Sequence, residues 1–180
     1  MRTLIALAFF ASMMLASNAD AQSGAAPADA KDVASPEAIV QAMYSVISGP
    51  AGQARNWDRM RTLMAPYAHF VAAGVKADGT VTVRDLTPDD YVNHATPVLE
   101  KEGFFERGVA MRVTRYGHTA VVESPYESRH APGEAPFARG INQFVLVNDG
   151  RRWWVTQIIW EGESAGNPLP PDAEAALKAR

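Results

Sequence analysis

No cysteine occurs anywhere in the 180 residues. That excludes disulfides, zinc–thiolate sites and a cysteine nucleophile, and it leaves the domain to rely on its core. An excess of positive charge is missing too: 17 Lys and Arg stand against 20 Asp and Glu, a formal net charge of −3. Nucleic-acid binding wants a basic face, so no nucleic-acid partner is expected. No apolar run reaches the roughly 20 residues that a bilayer span needs. There is no G-x-S-x-G, P-loop or dinucleotide fingerprint, and His69, His94, His118 and His130 show no metal-binding spacing. The expectation is a protein with no metal and no cofactor.

What is present at the N-terminus is a targeting signal. Arg2 precedes an almost wholly apolar stretch from Leu4 to Leu15, and Ala19-Asp20-Ala21 sets small residues two apart, the form that signal peptidase admits. Residues 1–21 read as a signal peptide, which would send the chain to the periplasm or out of the cell, with no membrane attachment after cleavage. Residues 22–34 are small and polar without apolar periodicity and read as a flexible spacer. Residues 35–163 read as one domain. Residues 164–180 open on a Gly- and Pro-rich stretch and read as a tail that leaves the fold.

Within the domain the punctuation is clear. Ser35-Pro36 opens a helix carrying Ile39, Val40, Met43, Val46 and Ile47, and Gly49-Pro50 stops it. A shorter helix begins near Asn56 and is expected to end at Pro66. A short strand at about 68–72 and a partner at about 80–84 flank Ala77-Asp78-Gly79. Thr87-Pro88-Asp89-Asp90 opens a third helix, in which Pro97 should kink or end the regular turn. Four long strands are expected at about 104–115, 118–129, 137–147 and 151–161, with Tyr116-Gly117 and Asn148-Asp149-Gly150 as hairpin turns. Helices ahead of a strand meander make the class α+β.

Local strings strengthen this order: Arg55-Asn56-Trp57-Asp58, Gly103-Phe104-Phe105-Glu106-Arg107, Tyr126-Glu127-Ser128-Arg129, Phe137-Ala138-Arg139-Gly140-Ile141-Asn142 and Asp149-Gly150-Arg151-Arg152-Trp153-Trp154. Together they resemble an exported bacterial branch of the nuclear transport factor 2-like superfamily, over about residues 35–171. The resemblance implies a cone-shaped, curved antiparallel or mixed sheet wrapped around N-terminal helices, with a cavity inside. It implies no reaction, because the fold hosts enzymes, binding modules and dimerisation units.

Strand phase then selects candidates. Phe137, Arg139, Ile141, Gln143, Val145 and Val147 share one side of their strand, and Gly140, Asn142, Phe144 and Leu146 the other. Tyr126 and Ser128 oppose Glu127 and Arg129, and a Glu127–Arg139 surface ion pair is expected. Tyr44, His69, Tyr91, Tyr126 and Asn142 are the candidate cavity residues. Isomerase-like chemistry would need a carboxylate beside a tyrosine; Asp58, Glu106 or Glu123 could supply it. In the last strand, Trp153, Val155 and Ile159 should face one way and Trp154, Ile158 and Trp160 the other. A strand apolar on both faces is covered on both, which suggests a homodimer through the sheet. Three functions remain open: binding of a small apolar molecule, which leads; a cofactor-independent isomerase, dehydratase or cyclase; and a structural homodimerisation module. A buried carboxylate near a cavity tyrosine would favour the enzyme.

Overall fold

The computed structural model describes residues 27–76 and 78–179, so the expected signal peptide and residues 22–26 of the spacer lie outside the described residues. The end of the spacer is folded rather than free: Ala30–Val33 form a 3-10 turn that buries Asp32 and Val33. Asp32 also accepts from Arg59 Nε at 2.8 Å.

Helix α1 (Pro36–Ile47) begins as its sequence dictates, with Ser35 Oγ accepting from the Ala38 amide at 3.1 Å and Pro36 in the first position. Its buried residues, among them Ile39, Val40, Ala42, Met43, Tyr44 and Val46, cover most of its circumference. An axis with a sheet wrapped around it requires that. Helix α2 (Trp57–Leu63) is capped by Asn56, and α3 (Pro88–Glu102) by a reciprocal Thr87–Asp90 capping box. Pro97 does not end α3, which runs on to Glu102. Pro97 and Asn93, whose carbonyl loses its partner, are both exposed, so water can take the missing bond.

Among the described residues seven strands form one sheet: β1 (Met64–Val75), β2 (Val81–Leu86), β3 (Phe105–Gly108), β4 (Arg112–Tyr116), β5 (Thr119–Arg129), β6 (Ala138–Asn148) and β7 (Trp153–Gly162). Their order is β2-β1-β7-β6-β5-β3, with β4 also on β5. β1 runs parallel to β7, and every other pair is antiparallel. The sheet is therefore mixed and the class α+β, as expected.

Four further sequence expectations about the strands and the tail need correction. β1 starts at Met64, and Pro66 sits inside it, where the register with β7 shifts between Met64 and His69. A residue without an N–H is tolerated at such an irregularity. The long strand expected at 104–115 breaks at residues 109–111, where Ala110 has φ 47°. β3 and β4 pair with opposite ends of β5, and the break bends that edge around α1.

The third correction concerns β7. Its register against β6 slips between Val145 and Leu146, which reverses the side-chain phase. Trp153, Val155, Ile158 and Trp160 consequently all belong to the helix-facing core and its fringe, and Ile159 joins Trp154 on the other side. The Trp154 ring is covered by the Arg152 guanidinium 3.5 Å from its centroid, and its indole N–H donates to Asp149 at 2.9 Å. The two-sided apolar strand that motivated a homodimer shrinks accordingly.

The fourth concerns the tail, which does not leave the fold. Helix α4 (Pro171–Lys178) buries Leu169, Ala173 and Leu177 with Val109 and against Ile141. An ion pair from Arg112 to Asp172 at 2.7 Å ties it to β4, and Arg139 of β6 lies 4.0 Å from Glu174.

Candidate functional site

Between α1 and the concave sheet lies a pocket of about 240 Å³. Met43 and Ile47 of α1, Phe70 of β1, Tyr91 of α3 and Ile158 and Trp160 of β7 form its apolar walls. Phe70 and Tyr91 stack at 4.3 Å with an 8° tilt, and Trp160 meets both edge-on at 6.3 Å. Phe104 and Phe137 stand at the mouth, where Phe137 is half exposed and stacks on His130 at 4.2 Å.

The polar groups gather on one wall. Pairing of β3 with β5 sets Glu106 opposite Ser128 and Gly108 opposite Tyr126, and pairing of β5 with β6 sets Ser124 opposite Asn142. Glu106 is the centre: Ser128 Oγ donates to its Oε2 at 2.8 Å and Asn142 Nδ2 to its Oε1 at 2.9 Å. Asn142 Nδ2 also reaches the Tyr44 hydroxyl at 3.1 Å, which in turn lies 2.7 Å from Ser124 Oγ. Burial raises the Glu106 carboxyl to about 7 against the pull of these two hydrogen bonds, and no cation among the described residues offsets it. Burial, with the Glu106 charge as a second cause, pushes the phenols of Tyr44, Tyr91 and Tyr126 up as well, so all three stay protonated. The Tyr44 hydroxyl is used internally, whereas those of Tyr91 and Tyr126 find no partner among the described residues.

Two glycines make room for this wall. A Cβ on Gly140 would stand 2.7 Å from the Tyr126 ring and hydroxyl, and one on Gly108 would stand 2.6 Å from the Tyr44 ring. Both distances are shorter than real Cβ contacts, so each tyrosine lies flat over a strand position without a side chain.

No family model and no curated protein matches the chain. Solved structures do. A protein of unknown function with a cystatin-like fold, from Nostoc punctiforme PCC 73102, matches over 78% of this chain and 97% of its own, with a TM-score of 0.56 at 7% identity. A protein of the NTF2-like family from Streptomyces avermitilis, provisionally named a dehydratase, matches over 74% of this chain and 97% of its own, with a TM-score of 0.50 at 14% identity. The fold is nuclear transport factor 2-like. At these identities the likeness establishes architecture alone.

In this nuclear transport factor 2-like cone, four of the five candidate residues, Tyr44, Tyr91, Tyr126 and Asn142, line the pocket. His69 does not: its side chain is 48% exposed, and its Nδ1 lies 2.8 Å from Asp85. Of the three carboxylates, Asp58 is exposed beside Arg61 and Glu123 pairs with Arg112, which leaves Glu106. The Glu127–Arg139 ion pair does not form, although the two residues are register partners. Glu127 is buried and takes Arg107 and Arg129 instead, while Arg139 turns to Glu163. Ser128, Ser124, Phe70 and Trp160 were not singled out as site residues. The shared phase of Tyr126 and Ser128 was the signal for Ser128; Trp160 had none, because the β7 slip hid its facing. Among the described residues no three His, Asp or Glu come together as a metal centre would need.

Proposed function

We propose that this domain is a cofactor-independent proton-transfer catalyst, of the isomerase or dehydratase kind, acting on a small and mostly apolar carbonyl compound. The observation that carries the proposal is a carboxyl group in a pocket, raised to about 7, beside tyrosine hydroxyls that have no partner. A general base works best when its pKa lies near the working pH. Glu106 would take a proton from the carbon next to the carbonyl. The C–H electron pair becomes a C=C bond, the C=O π pair moves onto the oxygen, and the Tyr126 hydroxyl donates to that oxygen as its charge grows. Glu106 then returns the proton at a second position.

Its partners suit both forms of the acid. Asn142 Nδ2 can only donate, so it holds Oε1 as an acceptor throughout. The Ser128 hydroxyl can turn from donor to acceptor, so Oε2 is the oxygen that carries the proton in the acid form.

The test is hydrogen exchange on an enolisable ketone such as 2-tetralone in D2O, followed by NMR. Deuterium should enter next to the carbonyl faster than in buffer alone, at a rate rising with pH to a plateau, with its midpoint near the Glu106 value of about 7. Saturable binding without exchange would leave a binding protein and reject catalysis. Tyr126→Phe should weaken binding of the ketone by about 0.5–1.5 kcal/mol, the net worth of a neutral hydrogen bond. It should leave stability nearly unchanged, because the hydroxyl has no protein partner to lose. Calorimetric titration and thermal melting check the two halves.

A further inference from the structure

We infer that the pocket selects by charge and size, and that its substrate is an uncharged carbonyl compound of one or two rings that carries no carboxylate, phosphate or other anionic group. This rests on the proton-transfer reading and names the substrate class for the same site.

Charge selection follows from the walls. Among the described residues Glu106 is the charged side chain lining the pocket, and no Lys, Arg or His lines it. The two nearest arginines in sequence, Arg107 and Arg129, lie on the opposite phase of β3 and β5 and both bind Glu127. An anionic ligand would lose its hydration, meet no counter-ion and face a carboxylate. An uncharged carbonyl meets neither cost. Its oxygen accepts from the tyrosine hydroxyls that lack partners, and its body lies along Phe70, Tyr91 and Trp160.

Size selection follows from the volume. The pocket's volume of about 240 Å³ is small for a ligand site. Pockets for drug-sized ligands run from about 300 to 1,000 Å³. A one- or two-ring skeleton fits here, and a four-ring skeleton does not. Glu106, Tyr126 and Asn142 come from β3, β5 and β6 at one end of the sheet and Phe70 and Trp160 from β1 and β7 beside them, so the ligand is polar at one edge and flat and apolar over the rest.

The test uses four probes on the wild-type protein at pH 8, read by calorimetric titration: 2-tetralone, 2-naphthoate, 2-aminotetralin and a four-ring steroid ketone. The expected result is that 2-tetralone binds at least about tenfold more tightly than 2-naphthoate, a difference of about 1.4 kcal/mol. It should also bind more tightly than the amine, and the steroid ketone should not compete. In Glu106→Gln the gap between 2-tetralone and 2-naphthoate should narrow to less than about threefold, because the repelling charge is gone. Equal binding of 2-naphthoate, tighter binding of the amine, competition by the steroid, an unchanged gap in Glu106→Gln, or no binding of 2-tetralone at millimolar concentration would each overturn the inference. Tight and selective binding of 2-tetralone without deuterium exchange would keep the selectivity and reject only catalysis.

Discussion

Glu106→Gln should give a folded protein whose deuterium exchange on 2-tetralone falls by about 10²–10⁴-fold, the range that a positioned general base contributes. Gln keeps the shape. Its amide oxygen can accept from Asn142, and its NH2 can donate to Ser128 once that hydroxyl turns. The same substitution should raise stability at pH 8. A carboxyl whose folded value is about 7, against an ordinary 4.5, binds its proton more tightly when folded. The folded state then holds more protons than the unfolded one between these two values, so wild-type stability falls as pH climbs from about 4.5 to 7. The loss is on the order of 3 kcal/mol at full ionisation. Gln has no such loss. The stability difference between variant and wild type should be near zero at pH 4.5, grow through pH 7 and then level off. Urea unfolding across that range measures it, and a difference independent of pH would contradict the buried, unpaired carboxyl.

Arg55→Met should cost about 3–5 kcal/mol of unfolding free energy. The guanidinium is buried and binds backbone carbonyls alone: Nε donates to Ile47 at 2.9 Å, Nη2 to Gly49 at 2.6 Å and Leu99 at 2.9 Å, and Nη1 to Gln53 and, at 3.4 Å, to Pro50. One side chain thus closes the end of α1, the loop after it and the last turn of α3. Hydrogen bonds to a charged group are worth about 1.5–3 kcal/mol each, and the carbonyls left behind would be buried without donors. Burial lowers the Arg55 pKa, with Glu100 opposing, yet arginine stays charged where lysine would not. Arg55→Lys should therefore recover less than half of the loss, because a single ammonium cannot span five carbonyls. Denaturant midpoints of the two variants decide this, and a loss below about 1 kcal/mol in Arg55→Met would reject the role.

The parts of the molecule that were legible in the sequence are those governed by neighbours in the chain. Ser35-Pro36 and the Thr87–Asp90 pair cap helices through atoms three residues apart. The phase of β6, with Gly140, Asn142, Phe144 and Leu146 turned inward, follows from unbroken alternation. The illegible parts depend on partners far along the chain. No residue of β7 announces the slip opposite Val145 and Leu146, since Thr156 and Gln157 are ordinary strand residues. The break at Ala110 carries no glycine at its positive φ. Glu106 was one carboxylate of three because its two donors, Ser128 and Asn142, come from other strands and meet it only after the sheet has curved. Tyr44, Tyr91, Tyr126 and Asn142 could be named as pocket residues from type and phase; His69 could not be excluded that way, because its partner Asp85 belongs to the neighbouring strand.

The parallel pairing of β1 with β7 has a consequence for how the molecule is made. The last strand of the chain is a middle strand of the sheet, between β1 and β6. A chain emerging from the ribosome therefore holds two separate pieces for most of its synthesis, a β1–β2 hairpin and a β3–β6 meander, each with an open edge where β7 will go. Open edges invite pairing with other chains, and contacts across so long a stretch of sequence form slowly. Residues 153–162 join the pieces in one step, so the growing chain should resist proteolysis abruptly and late, once β7 can reach its place, and not gradually as each strand appears.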